Sequence, residues 1–302
     1  MRLRNPALFV LLAAVWGTAF TAIKAGLEFF PPVLFAALRY DIAGVLMLAF
    51  AVYVTDRWRP RSRGEWLLAG IGGAFMIAGY HTFLFIGQQG TTSAAAAIVV
   101  SLSPILTTAF ARVLLPDERL TVLGLVGLLV GFIGVVLMSE PDPANIVNSR
   151  TVSIGLIFLA ATAFALGSVL TRSVQAELPI ETLEAWAMLI GAAIMHLVSF
   201  GLGESVVAVD WTFPAIASLG YLVVVASAVG FLIYFDLLER LGPIEINLVS
   251  YAVPVAAAIT GVVFLGEVPT AFVVGGFVLI ILGFVLIKRD AIRHALTSDT
   301  PR

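Results

Sequence analysis

Apolar residues run through this chain in ten stretches of roughly bilayer length, separated by short polar connections. The stretches predict helices over Pro6–Leu27, Pro32–Val54, Glu65–Ile86, Thr91–Leu114, Thr121–Ser139, Val152–Thr171, Glu181–Gly201, Phe213–Leu238, Ile246–Leu265 and Ala271–Ile287. A hydrocarbon core about 30 Å thick takes about 20 helical residues to cross, so each is a candidate span. The expected fold is all-α, a polytopic membrane protein of ten transmembrane helices, with connections too short to hold a soluble domain.

Composition agrees: 60% of residues are apolar, 12% are charged and the mean hydropathy is +1.05, far from the usage of soluble domains. The net charge of -2 says little, because orientation follows the placement of lysine and arginine. A cytoplasmic N-terminus puts Arg2, Arg4, Arg57, Arg59, Arg61, Arg63, Arg112, Arg119, Arg172, Arg240, Lys288, Arg289, Arg293 and Arg302 inside, 14 of the 17 basic residues. Arg150 falls outside, and Lys24 and Arg39 fall within helices 1 and 2. Both termini are therefore expected in the cytoplasm. The first apolar run follows two arginines like a signal peptide, but it extends well past the usual signal core of about 7–15 residues, so it is expected to be retained. Cysteine is absent, which excludes disulfides, thiol nucleophiles and thiolate metal sites.

The chain also repeats itself. Pro104 is followed by Leu115-Pro116-Asp117-Glu118-Arg119-Leu120-Thr121, and Pro254 by Leu265-Gly266-Glu267-Val268-Pro269-Thr270. Glu118/Glu267, Thr121/Thr270, Gly127/Gly276 and Gly134/Gly283 share one offset of 149. Pro32 and Pro179 match more loosely. Two five-helix units are expected, over 6–139 and 152–288. Five is odd, so the second must enter the membrane from the opposite side. The charges agree, since Arg112 and Arg119 become Gly261 and Val268. Inverted repeats are the architecture of many secondary transporters, with the substrate near the midplane between the halves; a duplicated bundle with no transport role is the plainer alternative.

Small residues are dense in helices 3, 4, 5 and 10, where they allow close backbone approach. Gly124, Gly127, Gly131 and Gly134 resemble a nucleotide loop only superficially, lacking the following Lys-Ser/Thr. Pro104 and Pro254, at matched positions in helices 4 and 9, each free a carbonyl and are expected to act as hinges, or else as kinks fixed by packing.

Ionisable residues inside spans carry more functional weight, because they are costly there. Arg39 lies about 10 Å and Asp41 about 14 Å from the outer end of helix 2 at 1.5 Å per residue. They point to opposite sides of that helix, so each needs another partner, with Lys24 or Glu28 available; Arg39 reads equally as a clamp on backbone carbonyls. His81, beside Tyr80 and sharing a face with Gln88, is either a proton carrier or a neutral histidine bonded to a neighbouring helix. His196 has no polar neighbour on its own face. Trp16 is mid-span, unlike Trp58, Trp66 and Trp211 at helix ends, and fills the core or walls a substrate pocket. Ser101, Ser103, Tyr234, Asn247 and Tyr251 complete the candidates. Asp236 and Glu239, near a helix end, read as solvated or paired with Arg240.

With ten spans, two copies of the proline and turn motifs, and Tyr234-Phe235 through Leu241-Gly242-Pro243 before helix 9, the chain resembles the drug/metabolite transporter superfamily, EamA branch, over about Pro6 to Lys288. The resemblance implies a plasma-membrane exporter of small metabolites, often amino acids, with a central cavity between halves. Arg39 matches the arginine commonly seen early in helix 2 of such proteins, and its counterpart in the second copy is Trp186. The related small multidrug exporters carry a carboxylate in the middle of helix 1. Here the first acidic residue is Glu28, at the helix edge, so a cationic-drug antiporter is disfavoured.

The sequence thus points to a secondary-active exporter in a prokaryotic inner membrane, moving amino-acid-like metabolites by alternating access. An uptake carrier or exchanger of metabolites or nucleotide sugars on the same fold is the second reading. Paired catalytic aspartates, His-Glu-x-x-His and a nucleophile with a placed base are all absent, as are charged rings or a carbonyl filter, so enzyme and channel readings are disfavoured. No cofactor, metal, nucleic acid or ATP is expected. Proton coupling is a candidate energy source, the lipid bilayer and a small-molecule substrate are the expected partners, and a monomer already holds a complete pathway.

Overall fold

The computed structural model describes residues 4–114, 122–140, 148–246 and 248–298, with the side chains of 122, 124, 242–245 and 287–298 excepted. Ten helices follow in chain order: α1 Arg4–Gly26, α2 Pro32–Val54, α3 Arg63–Gln88, α4 Ser93–Leu114, α5 Val122–Met138, α6 Ser149–Ser173, α7 Ile180–Gly201, α8 from Phe213 to Ile246, α9 Val249–Leu265 and α10 Ala271–Ser298. Seven are long and apolar enough to cross a membrane, and α5, α9 and α10 supply shorter apolar helices over Leu125–Met138, Val249–Leu265 and Ala271–Leu286. Large apolar side chains such as Leu197, Phe200, Val263 and Phe264 stand on the outer surface, as lipid rather than water requires. The first Leu-Pro-Asp-Glu-Arg-Leu-Thr motif lies outside the described residues.

Helix boundaries follow local chemistry. Ser62 caps α3 by accepting from the Glu65 N–H at 3.2 Å, and Thr92, Asn148 and Thr212 do the same for α4, α6 and α8. Pro32 opens α2, and a carboxylate from the α7–α8 connection completes its cap: Glu204 accepts from Val33 N–H at 3.2 Å and Leu34 N–H at 2.7 Å. An acid at a helix N-terminus satisfies orphan donors and favours the dipole. Glu204→Ala is expected to lower stability by about 1 kcal/mol, read as a fall in the apparent Tm of the detergent-solubilised protein. At the far end of α9, Gly266 takes φ +67°, and the following Glu267 N–H returns to the Gly261 carbonyl at 3.0 Å; a left-handed cap of this kind favours glycine.

Three boundaries depart from the hydropathy pattern. α8 runs on through Ile246, so α9 starts three residues later than expected, and α10 continues to Ser298. α4 is interrupted at Ser101–Leu102, with Pro104 in the first turn of its second half, Ser103–Leu114. Pro254 instead sits inside an unbroken α9. The two prolines are thus not equivalent: one follows a break, the other lies within a continuous helix.

Helices α3 and α8 each contain a π-helical segment, at Gly72–Gly79 and Tyr221–Val229. Their starts are separated by the same 149 residues as the sequence repeats. The packing has matching symmetry: α5 lies on α10 and α2 on α7, while α1–α9 is echoed by α4–α6, α1–α8 by α3–α6, and α2–α8 by α3–α7. Exchanging α1–α5 with α6–α10 maps these contacts onto themselves. The α5–α10 contact carries the symmetry to the residue level, since a Cβ added at Gly134 would lie 2.7 Å from the Gly276 carbonyl oxygen, and one at Gly283 would lie 2.5 Å from the Gly127 carbonyl oxygen. Only glycine permits such backbone approach in lipid.

Polar contacts tie the ends together. On one side Arg57 donates to Glu65 at 2.7 Å and to the Glu177 carbonyl at 2.9 Å, Thr182 donates to the Arg57 carbonyl, and Trp186 to the Trp58 carbonyl. On the other, Glu267 accepts from the Ser93 N–H at 2.8 Å, and Arg150 pairs with Glu140 at 2.9 Å. A cavity of 340 Å³ opens there, lined by Lys24, Thr91, Thr92, Arg150 and Glu267 among others.

Candidate functional site

The π segments determine the polar interior. Widened turns leave carbonyls reachable by side chains, and π segments recur at functional sites. In α3 the Ile77 carbonyl accepts from His81 Nδ1 at 2.9 Å, and Tyr40 of α2 lies 2.7 Å from His81 Nε2. A carbonyl only accepts, so Nδ1 carries the proton and Nε2 accepts from the Tyr40 hydroxyl. At the equivalent place in α8, the Ala226 carbonyl accepts from the Trp16 indole N–H of α1 at 3.2 Å. Next to it, the Ser227 hydroxyl donates to the Leu222 carbonyl at 2.9 Å.

Arg39 meets α8 at that hydroxyl. Its Nε and Nη2 lie 3.4 and 3.3 Å from Ser227 Oγ, and its Cζ stands 5.0 Å from the Tyr40 ring centroid. The side chain is buried, at 7% exposure, beside a ring cluster in which Tyr40 and Tyr80 stand 4.4 and 4.5 Å from His81. Among the described residues no carboxylate reaches it. A guanidinium carries five N–H donors, so one hydroxyl at long distance leaves most of its capacity unused. A buried cation without an anion is expensive, and a ligand carboxylate matches it in charge and shape.

The other sequence candidates separate into distinct places. Tyr80 stands edge-on to His81 at 4.5 Å and to Phe164 of α6 at 5.5 Å, within the Arg39 cluster. Trp16 packs on Phe231 and Tyr234 of α8, at 6.2 and 5.6 Å, forming an aromatic wall between α1 and α8. Ser101 and Ser103 donate to the Ile98 and Val100 carbonyls at 2.6 and 2.7 Å; their hydroxyls satisfy the break in α4. Tyr251 stacks on Phe284 of α10 at 4.3 Å, with its hydroxyl buried and unpartnered. Asn247 lies outside the described residues.

Ion pairing corrects the partners expected from helix geometry. Asp41 bonds neither Lys24 nor Glu28 but His196 of α7, at 2.7 Å, with both side chains about two-fifths exposed. The polar neighbour that His196 lacks on its own helix comes from α2. Lys24 instead donates to the Gln88 and Gln89 carbonyls at 3.1 and 2.8 Å, where a cation at the C-terminus of α3 is favourable. Asp236 accepts from Arg240 one turn on, at 2.8 Å. Gln88 donates to the Phe20 carbonyl at 2.6 Å, and so joins α3 to α1 rather than to His81.

Two residues of this interior escaped the sequence reading. Ser227 carries no signal in a run of small residues. Glu184 does carry one, an acid four residues past the Ile180 start of α7, but with Glu181 at the start of the expected span it reads as part of a polar edge.

The EamA-like transporter family matches the chain twice, over residues 5–140 and 151–289. Among curated proteins, the chain is 30% identical to an uncharacterised transporter of Archaeoglobus fulgidus, across 92% of this chain and 96% of that one. It is also 30% identical to a protein of Salmonella typhimurium named "Probable amino-acid metabolite efflux pump", across 92% and 93%. The uncharacterised inner membrane transporter YedA of Escherichia coli is 27% identical, across 86% and 82%. A solved crystal structure superposes with a TM-score of 0.63 at 24% identity, covering 96% of this chain and 99% of that chain, and shares the fold. A double family match across the whole span region, on a ten-helix bundle whose contacts exchange between halves, leaves one conclusion: the chain is a multi-pass membrane protein and belongs to the EamA-like transporter family.

Proposed function

We propose that the protein is a secondary-active exporter of small metabolites, amino acids or related carboxylates, working by alternating access of two inverted five-helix halves in a prokaryotic inner membrane. Both termini face the cytoplasm in this reading, which follows the placement of lysine and arginine. The observation that carries it is Arg39: a buried guanidinium on α2, met from α8 by one serine hydroxyl, with no carboxylate beside it among the described residues. A substrate carboxylate supplies the missing acceptors. Export of amino-acid metabolites is supported by the name of the Salmonella relative.

In the proposed cycle the substrate carboxylate docks on Arg39 between α2 and α8, with Tyr40, Tyr80 and the Trp16–Tyr234 wall around its remaining surface. The contacts at the two ends open in alternation. His81 holds Tyr40 in place through Nε2, and it carries a proton in transit only when the Tyr40 hydroxyl turns away. The exporter needs no cofactor or nucleotide and acts as a monomer.

The test is efflux of a labelled amino-acid panel from cells expressing the protein, with and without a proton gradient. At least one amino acid is expected to fall faster inside expressing cells than in controls, and the gradient arm reports proton coupling. Inward movement or exchange with no net efflux would overturn the export reading.

A further inference from the structure

The stretch joining α2 to α3 carries four arginines at alternate positions, Arg57, Arg59, Arg61 and Arg63, against two acids, Asp56 and Glu65. Glu65 folds it. Its carboxylate accepts from the Arg57 guanidinium at 2.7 Å and from the Arg61 N–H at 2.6 Å, which closes 57–61 into a small loop at the start of α3. Pro60 is buried within that loop, while Trp58 and Arg59 beside it are exposed. The Arg59 guanidinium stands 5.7 Å from the Trp58 ring centroid, a cation–π arrangement. Arg61 donates to the Asp56 carbonyl at 3.1 Å. Arg59, Arg61 and Arg63 are all exposed, and among the described residues none of them meets a carboxylate.

The surroundings of these cations are aromatic and apolar. Tyr53 at the end of α2 and Trp66 and Leu67 in the first turns of α3 are exposed, and Trp66 stands edge-on to Trp186 of α7 at 4.9 Å. Tyrosine and tryptophan at helix ends mark the headgroup level of a bilayer, so the arginines stand where lipid phosphates do. A guanidinium matches a phosphate in charge and in its paired N–H donors. The second half provides the contrast. Its α7–α8 connection, residues 202–212, keeps an exposed tryptophan, Trp211, but contains Glu204 and Asp210 and no lysine or arginine. Orientation alone asks for positive charge on one face. It does not ask that one arginine be committed to Glu65 while three are held clear of every described carboxylate around a tryptophan.

We propose that the α2–α3 connection binds an anionic phospholipid, its phosphate held by Arg59, Arg61 and Arg63 and its acyl chains lying along the exposed apolar flank of α2 and α3. The same loop ties the two halves at this end, through Arg57 to the Glu177 carbonyl, Thr182 to the Arg57 carbonyl and Trp186 to the Trp58 carbonyl. A bound lipid therefore sits on a joint that alternating access must open. The assignment depends on neither the substrate nor the direction of transport.

The experiment reconstitutes full-length protein in phosphatidylcholine vesicles containing increasing fractions of brominated phosphatidylglycerol or, separately, brominated phosphatidylcholine, and follows quenching of tryptophan emission. Wild type is expected to reach half of its quenching at a fraction of the anionic lipid about tenfold lower, since each arginine near the surface favours it about fivefold. The triple variant Arg59→Gln, Arg61→Gln, Arg63→Gln leaves the Arg57–Glu65 pair intact and is expected to respond to both lipids alike. Arg59→Gln alone, the second variant if the triple does not yield folded protein, is expected to lose about fivefold of the preference. Millimolar inorganic phosphate, at constant ionic strength, is expected to leave the wild-type preference in place. No preference in wild type, a preference that the variants retain in full, or one that phosphate abolishes, marking a site for the free anion, overturns the assignment.

Discussion

Arg39→Gln is expected to lower kcat/KM for export of a carboxylate-bearing substrate by about 100-fold, the loss of a charge-assisted contact made to the ligand. The same change is expected to leave the apparent Tm unchanged or slightly raised. The reasoning is that the fold draws little from this side chain: two contacts beyond 3.2 Å to one hydroxyl and a ring at 5.0 Å. Against that stands the desolvation of a buried cation, which removal relieves. Arg39→Lys keeps the charge but loses the planar fork that holds a carboxylate in two places, so it is expected to retain only part of the activity. Efflux rates and thermal melts on the same preparations separate the outcomes. A marked fall in Tm, with transport falling only in proportion to folded protein, would mark Arg39 as a structural clamp.

The second large effect concerns the helices that touch backbone to backbone. Gly283→Val is expected to cost roughly 3 kcal/mol, at the upper end of overpacking penalties. A Cβ there would meet the Gly127 carbonyl oxygen at 2.5 Å and the Gly131 nitrogen at 3.0 Å. Those atoms belong to main chain, which cannot rotate away as a flexible side chain does. Gly134→Val strikes the same α5–α10 seam through the Gly276 carbonyl, so the two changes together are expected to cost less than their sum. Gly155→Ala is the control, since nothing lies within 4 Å of a Cβ added at Gly155, and its Tm is expected to stay level or rise. The melts are read by size-exclusion fluorescence in detergent.

Much of the architecture was legible because transmembrane helices answer mainly to hydropathy and length. Among the described residues a helix stands on each of the ten apolar stretches, seven of them long and apolar enough to span, with boundaries displaced in α8, α9 and α10, and the glycines of the tenth helix meet those of the fifth. The π segments were not legible, since Gly72–Gly79 and Tyr221–Val229 look like any apolar helix in sequence. Their matched placement emerges only from backbone hydrogen bonding.

Side-chain partners were harder still. Helix geometry showed that Arg39 and Asp41 point apart, but not that Asp41 would find His196 across the α2–α7 groove, or that Arg39 would find a serine. Ser101 and Ser103 read as candidate cavity hydroxyls, but both donate to carbonyls of their own helix beside the break at Ser101–Leu102, Ile98 and Val100. Glu267 illustrates the opposite case, a residue read only as part of a repeated motif. The structure gives it a task, accepting from the Ser93 N–H at the start of α4 and thus joining the two halves.

The most direct test of the central claim is counterflow in proteoliposomes containing the purified protein: vesicles loaded with unlabelled amino acid, diluted into trace labelled amino acid, with wild type and Arg39→Gln side by side. The account predicts transient accumulation of label by wild type for at least one amino acid and its near-complete loss in Arg39→Gln. Accumulation that survives the Arg39 change undiminished would contradict it, as would wild-type vesicles that behave like protein-free ones across the whole panel.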